Sequence, residues 1–357
     1  MNPSQQLSEI CGQLIVGGYL GADPTPTFLA ELQQRRRAGA ILFKRNLPSW
    51  EAGHAASAKM VEAVGDDLSP IVCLDQEGGR VARLGPPVLQ VPSMRRLGDL
   101  GDEALVSEVA RTLGSQLLPM GFNLNFAPVL DVDTNPANPV IGDRSFSRDP
   151  EVVARMGAAW VRGLQASGIA ACGKHFPGHG DTTVDSHLDL PSVDTPIERL
   201  RQVELLPFRA AMEAGVDALM SAHIVVRAVS RALPATLCPE ILRGWLREQM
   251  GFEGVIFSDD LEMKAIADRW EVGDAAVQAV RAGCDVLLIC KSESWQIEAH
   301  DGLVREAEKD AWFRQRCERA AGRCRALRAR RPIVPGSPFS LESDRVGTLQ
   351  RRLDAVP

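Results

Sequence analysis

Lys174 to Asp189 reads Lys-His-Phe-Pro-Gly-His-Gly-Asp-Thr-Thr-Val-Asp-Ser-His-Leu-Asp and holds half of the chain's six histidines. These are His175, His179 and His187, accompanied by Asp181, Asp185 and Asp189. A short apolar run, Ile169–Cys172, leads into it. Titratable side chains in a Gly/Pro-rich segment at a strand end point to an active site rather than a core. In Asp185-Ser-His187 the carboxylate and imidazole lie two residues apart, so in extended chain they face the same side. A carboxylate beside the ring favours the imidazolium, which suits proton transfer near neutral pH. The plainer alternative is a loop histidine held by its neighbouring aspartate.

Asp259 ends the run Gly254-Val-Ile-Phe-Ser-Asp-Asp-Leu261. A carboxylate delivered by an apolar strand can attack an electrophilic carbon or stabilise a developing cation. Asp260 is its rival for that role, and a helix-capping aspartate is the plain reading. His175 and His179 stand four apart, the spacing of metal ligands on a helix. Pro177, Gly178 and Gly180 argue against a helix there, and no His-Glu-x-x-His occurs. Lys174, Arg83 and Arg144 are candidate hydrogen-bond donors to hydroxyls or an anion, with structural ion pairing as the alternative. Gly78-Gly79 matches neither phosphate-loop nor dinucleotide fingerprint, and fits a tight turn that aims Asp75 inward.

Eight short apolar runs are placed to carry these groups: Leu14–Val16, Ala40–Phe43, Ile71–Leu74, Asn123–Val129, Ile169–Cys172, Ala218–Ser221, Val255–Ser258 and Val286–Ile289. Most lack alternation, as expected for strands covered on both faces. Helical segments are predicted between them, at Thr27–Ala38, His54–Val64, Glu103–Met120, Glu151–Ser167, Pro196–Ala214, Cys238–Met250 and Asp274–Ala282. One or two more are expected over Ala307–Arg330. The alternation predicts an α/β fold, a single (β/α)8 barrel, with 1–331 as the catalytic barrel and 332–357 as an irregular tail. The polar candidates follow the third to seventh runs, which in a barrel converge on one mouth.

The net charge of −6 over 357 residues argues against a general nucleic-acid binder. The arginine-rich stretch 314–331 is expected to be a solvated helix face, a binding arm for an anion being the alternative. The first residues do not form a signal-peptide pattern, and no apolar run is long enough to cross a membrane. The eight cysteines contain no CxxC pair and are expected to be reduced, mostly buried thiols of a cytoplasmic protein.

Three blocks together resemble glycoside hydrolase family 3, and within it the single-domain bacterial β-N-acetylhexosaminidases of the NagZ type. They are Asp75-Gln-Glu-Gly-Gly-Arg-Val-Ala-Arg83, Lys174-His-Phe-Pro-Gly-His-Gly-Asp181 with Asp185-Ser-His187, and Gly254-Val-Ile-Phe-Ser-Asp-Asp-Leu-Glu-Met263. Asn125–Asp133 and Ile141–Phe146 add to the likeness, which spans roughly residues 10–300. The resemblance implies retaining, exo-acting hydrolysis of terminal β-linked N-acetylglucosamine. It implies Asp259 as nucleophile, His187 as general acid/base tuned by Asp185, and Asp75, Arg83, Arg144, Lys174 and His175 as the sugar-binding set. No cofactor and no metal are expected, and the resemblance implies a glycan or muropeptide substrate in cytoplasmic cell-wall recycling. No nucleic-acid or membrane partner is expected, and a monomer is the default. The competing readings are a phosphorylase, a mechanism in which the substrate's acetamido oxygen attacks, and a non-catalytic sugar-binding barrel.

Overall fold

The computed structural model describes residues 3–65, 68–182, 190–333 and 344–355. Eight parallel strands close into a barrel: β1 (Ile15–Gly17), β2 (Gly39–Leu42), β3 (Ile71–Leu74), β4 (Leu124–Asn125), β5 (Ala170–Phe176), β6 (Ala218–Ser221), β7 (Val255–Asp260) and β8 (Val286–Ile289). Closure comes from β1 pairing with β8 in register Ile15 to Leu287. Each of the eight predicted runs contains or overlaps one of these strands. Val16, Ile41, Cys73, Phe126, Cys172, Met220, Phe257 and Leu288 belong to a buried apolar cluster associated with the strands. Phe126 and Phe257 meet there edge to face, 5.3 Å between centroids. A larger apolar cluster includes residues from both strands and helices.

Local chemistry explains the helix starts. Asp149 accepts a bond from the Glu151 amide at the head of the helix Pro150–Ala166, and Asp102 does the same for Leu105 at Glu103–Leu117. The predicted helix Pro196–Ala214 is instead two, Ile197–Gln202 and Leu206–Glu213. Pro207 has no N–H to continue a helix and sits in the first turn of the second one. Thr195, ahead of the first of these helices, donates its hydroxyl to Asp181 at 2.6 Å. The fourth strand is shorter than the run Asn123–Val129: the Ala127 amide turns back to the Asn125 carbonyl at 2.8 Å, and Pro128 has no N–H to resume the ladder. Val129 still bridges to Lys174.

Two expectations about the C-terminal part hold only in part. Within the arginine-rich helix Ala311–Arg330, Arg314, Arg319, Arg325 and Arg330 are exposed as expected, whereas Arg316 and Arg328 are buried. Arg316 reaches Asp285 at 2.9 Å, ahead of β8, and Arg328 donates to the carbonyls of Leu68 and Ser69, ahead of β3. Just past the helix, Arg331 pairs with Asp217 at 2.7 Å, ahead of β6. These arginines satisfy carboxylates and carbonyls at the strand starts, the end of the barrel opposite the candidate site. The tail is also not irregular throughout. Asp344–Asp354 is a helix that buries Leu349 and Leu353 against the core. The apolar pair recurs at four residues, one face of a helix. All eight cysteines are buried and unbridged.

Candidate active site

Two local irregularities aim the key side chains. Between β7 and β8, Phe257 pairs with Val286 and Asp260 with Leu288, so three steps on β7 face two on β8. Between β5 and β6, Gly173 pairs with Leu219 and Phe176 with Ser221, the same mismatch. An extra residue in one strand re-aims its side chains. Asp259 lies in the first bulge, and Lys174 and His175 in the second. Gly78 supports the site from the β3 loop with φ +126°, and a Cβ there would sit 2.7 Å from the Pro92 carbonyl oxygen.

One cavity of about 290 Å³ collects the predicted groups: Asp75, Arg83, Arg144, Lys174, His175 and Asp259 all line it. That volume lies near the lower end of small-molecule sites, the scale of a single sugar ring. Lys174 Nζ bonds Asp75 at 2.7 Å and Glu77 at 2.6 Å. Arg83 reaches the other Asp75 oxygen at 2.9 Å. Arg144 grips Glu77 through two parallel bonds of 2.9 Å. Burial alone would raise the carboxyl groups, but the facing cations outweigh it. Asp75 is held far below the usual carboxylate range by Lys174 and Arg83, and Glu77 is pulled down to about 2 by Arg144 and Lys174. Burial would lower Lys174, and the two carboxylates raise it instead. Asp75, Glu77 and Lys174 are therefore charged at neutral pH.

Behind His175 stands Asp131, fully buried. Its carboxylate meets His175 Nδ1 at 2.6 Å and accepts the backbone amides of His175 and His179. Burial would raise Asp131, but His175 and these bonds hold it below its ordinary value. The arrangement fixes the ring orientation of His175. His179 sits against the Thr182 hydroxyl at 2.9 Å, and burial together with His175 lowers it to about 4. It is therefore neutral at pH 7, in keeping with a structural role. Gly180 also packs tightly, since a Cβ there would lie 1.7 Å from the Val132 carbonyl oxygen. Among the described residues no group of three or more His, Cys, Asp or Glu side chains is arranged to hold a metal.

Asp185 and His187 lie outside the described residues. Glu77 and Asp131 were inside quoted motifs but had no assigned role. For Glu77 a signal existed: it stands two residues from Asp75, which in extended chain shares a side with it. Arg80 also lines the cavity and pairs with Asp143 at 3.1 Å.

Residues 7–323 match the family described as "Glycosyl hydrolase family 3 N terminal domain". A protein named Beta-hexosaminidase from Stenotrophomonas maltophilia is 38% identical over 286 residues, covering 78% of this chain and 84% of its own. The solved glycoside hydrolase family 3 β-N-acetylglucosaminidase of Paenibacillus sp. superposes with a TM-score of 0.92 at 40% identity, over 97% of this chain and 68% of that one. NagZ of Neisseria gonorrhoeae, solved with N-trifluoroacetyl-D-glucosamine, gives 0.82 at 31% identity, over 96% and 97%.

Proposed function

The chain belongs to glycosyl hydrolase family 3, and we propose that it is a retaining exo-β-N-acetylglucosaminidase. The observation that carries this reading is the placement of Asp259 in one cavity with Asp75, Arg83, Arg144, Lys174 and His175. A carboxylate faces a sugar-sized space lined by charged donors and acceptors for hydroxyls. The barrel's likeness to enzymes named for N-acetylglucosamine or hexosamine chemistry supports the substrate class.

In the proposed reaction Asp259 attacks the anomeric carbon as the bond to the leaving oxygen breaks. His187, as imidazolium beside Asp185, gives that oxygen its proton and releases the aglycone as an alcohol. The sugar is then an ester of Asp259. Neutral His187 takes a proton from water, whose oxygen attacks the anomeric carbon and frees Asp259. Two inversions give net retention. Meanwhile Asp75, Arg83, Arg144, Lys174 and His175 hold the terminal sugar's hydroxyls. Family membership favours muropeptides as the natural substrate, in the cytoplasm. Among the described residues, no helix is long and apolar enough to cross a membrane.

The test is release of nitrophenol from nitrophenyl N-acetyl-β-glucosaminide, with the product's anomeric configuration read by NMR. Release of the β-anomer is expected. No turnover would overturn the reading in favour of a sugar-binding barrel, and sugar 1-phosphate formed on adding phosphate would favour a phosphorylase.

A further inference from the structure

We propose that Glu77 is a specificity-determining residue: by neutralising Arg144 and sharing Lys174, it keeps the sugar-binding cations committed to uncharged sugar and closed to anions. The inference rests on the glycosidase reading of this cavity and goes beyond it.

The charges facing the cavity carry the argument. Arg83, Arg144 and Lys174 stand with three carboxylates, Asp75, Glu77 and Asp259. The remaining lining arginine, Arg80, has its own carboxylate in Asp143, at 3.1 Å. Glu77 is the hub. Its Oε1 meets both Lys174, at 2.6 Å, and Arg144, at 2.9 Å, while its Oε2 takes the Arg144 Nε at 2.9 Å. The glutamate is 2% exposed and the Arg144 side chain 11%. Lys174 keeps Asp75 if Glu77 is neutralised. Among the described residues Arg144 has no other bonded carboxylate, and its remaining bond is to the Val140 carbonyl, at 3.3 Å.

A guanidinium in a shielded cavity without its carboxylate attracts whatever anion fits. The two parallel bonds that Arg144 makes to Glu77 are the geometry in which arginine also takes sulfate or phosphate. Glu77 thus occupies, from inside the protein, the position an anionic ligand would otherwise compete for. Its pairing also aims the free edges of Arg144 and Lys174 at hydroxyl oxygens. Glu77 acts through these cations and is a positioning residue rather than a catalytic one.

The experiment compares the parent enzyme with Glu77→Gln and Glu77→Asp, using inorganic sulfate as the probe and chloride at matched ionic strength as the control. Calorimetric titration reads sulfate binding independently of turnover, so it remains decisive if the glycosidase reading fails. Glu77→Gln is expected to bind sulfate and to show competitive inhibition by it, at concentrations that leave the parent's KM unchanged. Loss of the aimed donors is expected to raise KM roughly ten- to a hundredfold, as for hydrogen bonds to charged groups, with a smaller change in kcat. Glu77→Asp keeps the charge but is too short to bridge both cations, so KM rises without sulfate binding. If Glu77→Gln does not fold, Glu77→Gln/Lys174→Met removes a buried pair together and still leaves Arg144 without its carboxylate, so sulfate binding is again expected. Failure of a folded variant lacking the glutamate charge to bind sulfate more tightly than the parent overturns the proposal. So does sulfate binding of equal strength in Glu77→Asp.

Discussion

Asp259 and Asp260 are adjacent on β7, yet their carboxylates have separate surroundings. Asp259 lines the cavity and accepts the Asp260 amide at 2.8 Å. The Asp260 carboxylate accepts the amides of Glu262 and Cys290, each at 3.1 Å, and ties β7 to the end of β8. His223 Nε2 donates to the Asp260 carbonyl at 2.9 Å and holds the peptide that follows Asp260. A nucleophile must be open to substrate, and Asp260 is committed to backbone. A fluorosugar inactivator is therefore expected to label Asp259, located by peptide mass spectrometry. Asp259→Asn is expected to reduce turnover to background. A label on Asp260 would reverse the assignment.

Asp260 also makes a prediction about stability. Burial pushes its carboxyl from 3.8 up to about 7, with the Glu262 and Asp259 charges adding to the rise. An acid raised in the folded state binds its proton more tightly there than in the unfolded chain. Stability is therefore lost as pH climbs from about 4 to about 7, and the deficit is complete above that. Asp260→Asn cannot ionise and should escape this slope. Melting temperatures of parent and variant, compared from pH 4 to pH 8, should diverge in the variant's favour as pH rises. Parallel curves would show that Asp260 does not titrate in that window.

The barrel was legible because strands covered on both faces must be apolar throughout, and helices between them leave capping and glycine signals. Strand ends were less legible. β5 runs through Lys174 and His175 and β7 through both aspartates, because bulged pairing tolerates polar residues that an apolar pattern assigns to loops. Asp131 was hidden for another reason. Its burial is stabilised by a histidine and two amides from β5 and the following turn, partners that a count along the chain does not bring together. Arg316 in the last long helix and Arg331 just past it gave no sign of their pairing because their partners, Asp285 and Asp217, lie far away in sequence.

The Asp131–His175 pair should matter to binding and not only to folding. Asp131→Asn removes the charge behind the ring and allows the other tautomer or a turned ring. Loss of one charge-assisted bond predicts a fall of roughly ten- to a hundredfold in kcat/KM. Nitrogen NMR of His175 should show its tautomer or orientation altered in the variant. An unchanged histidine spectrum with full activity would reduce Asp131 to a packing role.

The C-terminal helix is expected to contribute to stability. Leu353 is 2% exposed and packs into the core, and Gln350 exchanges two bonds with the Gln90 backbone at 2.9 and 3.2 Å. Leu353→Ala should cost about 2–5 kcal/mol, the range for deleting a buried leucine. Denaturant titration reads this directly. A loss below about 0.5 kcal/mol, typical of surface positions, would mean the helix is not docked in solution.

The acid/base role proposed for His187 separates from that of Asp259 by the leaving group. A natural glycoside expels a poorly stabilised alkoxide and needs its proton, whereas a nitrophenolate leaves without one. His187→Ala should therefore slow natural substrates by about 10²–10⁴-fold, the usual contribution of a general acid. Formation of the glycosyl-Asp259 ester from nitrophenyl substrates should survive, seen as a burst of nitrophenol. Hydrolysis of that ester still needs a base, so the steady rate after the burst should fall. Added azide, a nucleophile that needs no deprotonation, should restore turnover and yield a glycosyl azide of retained configuration. Equal loss of the burst and of natural-substrate hydrolysis would instead place His187 in substrate binding.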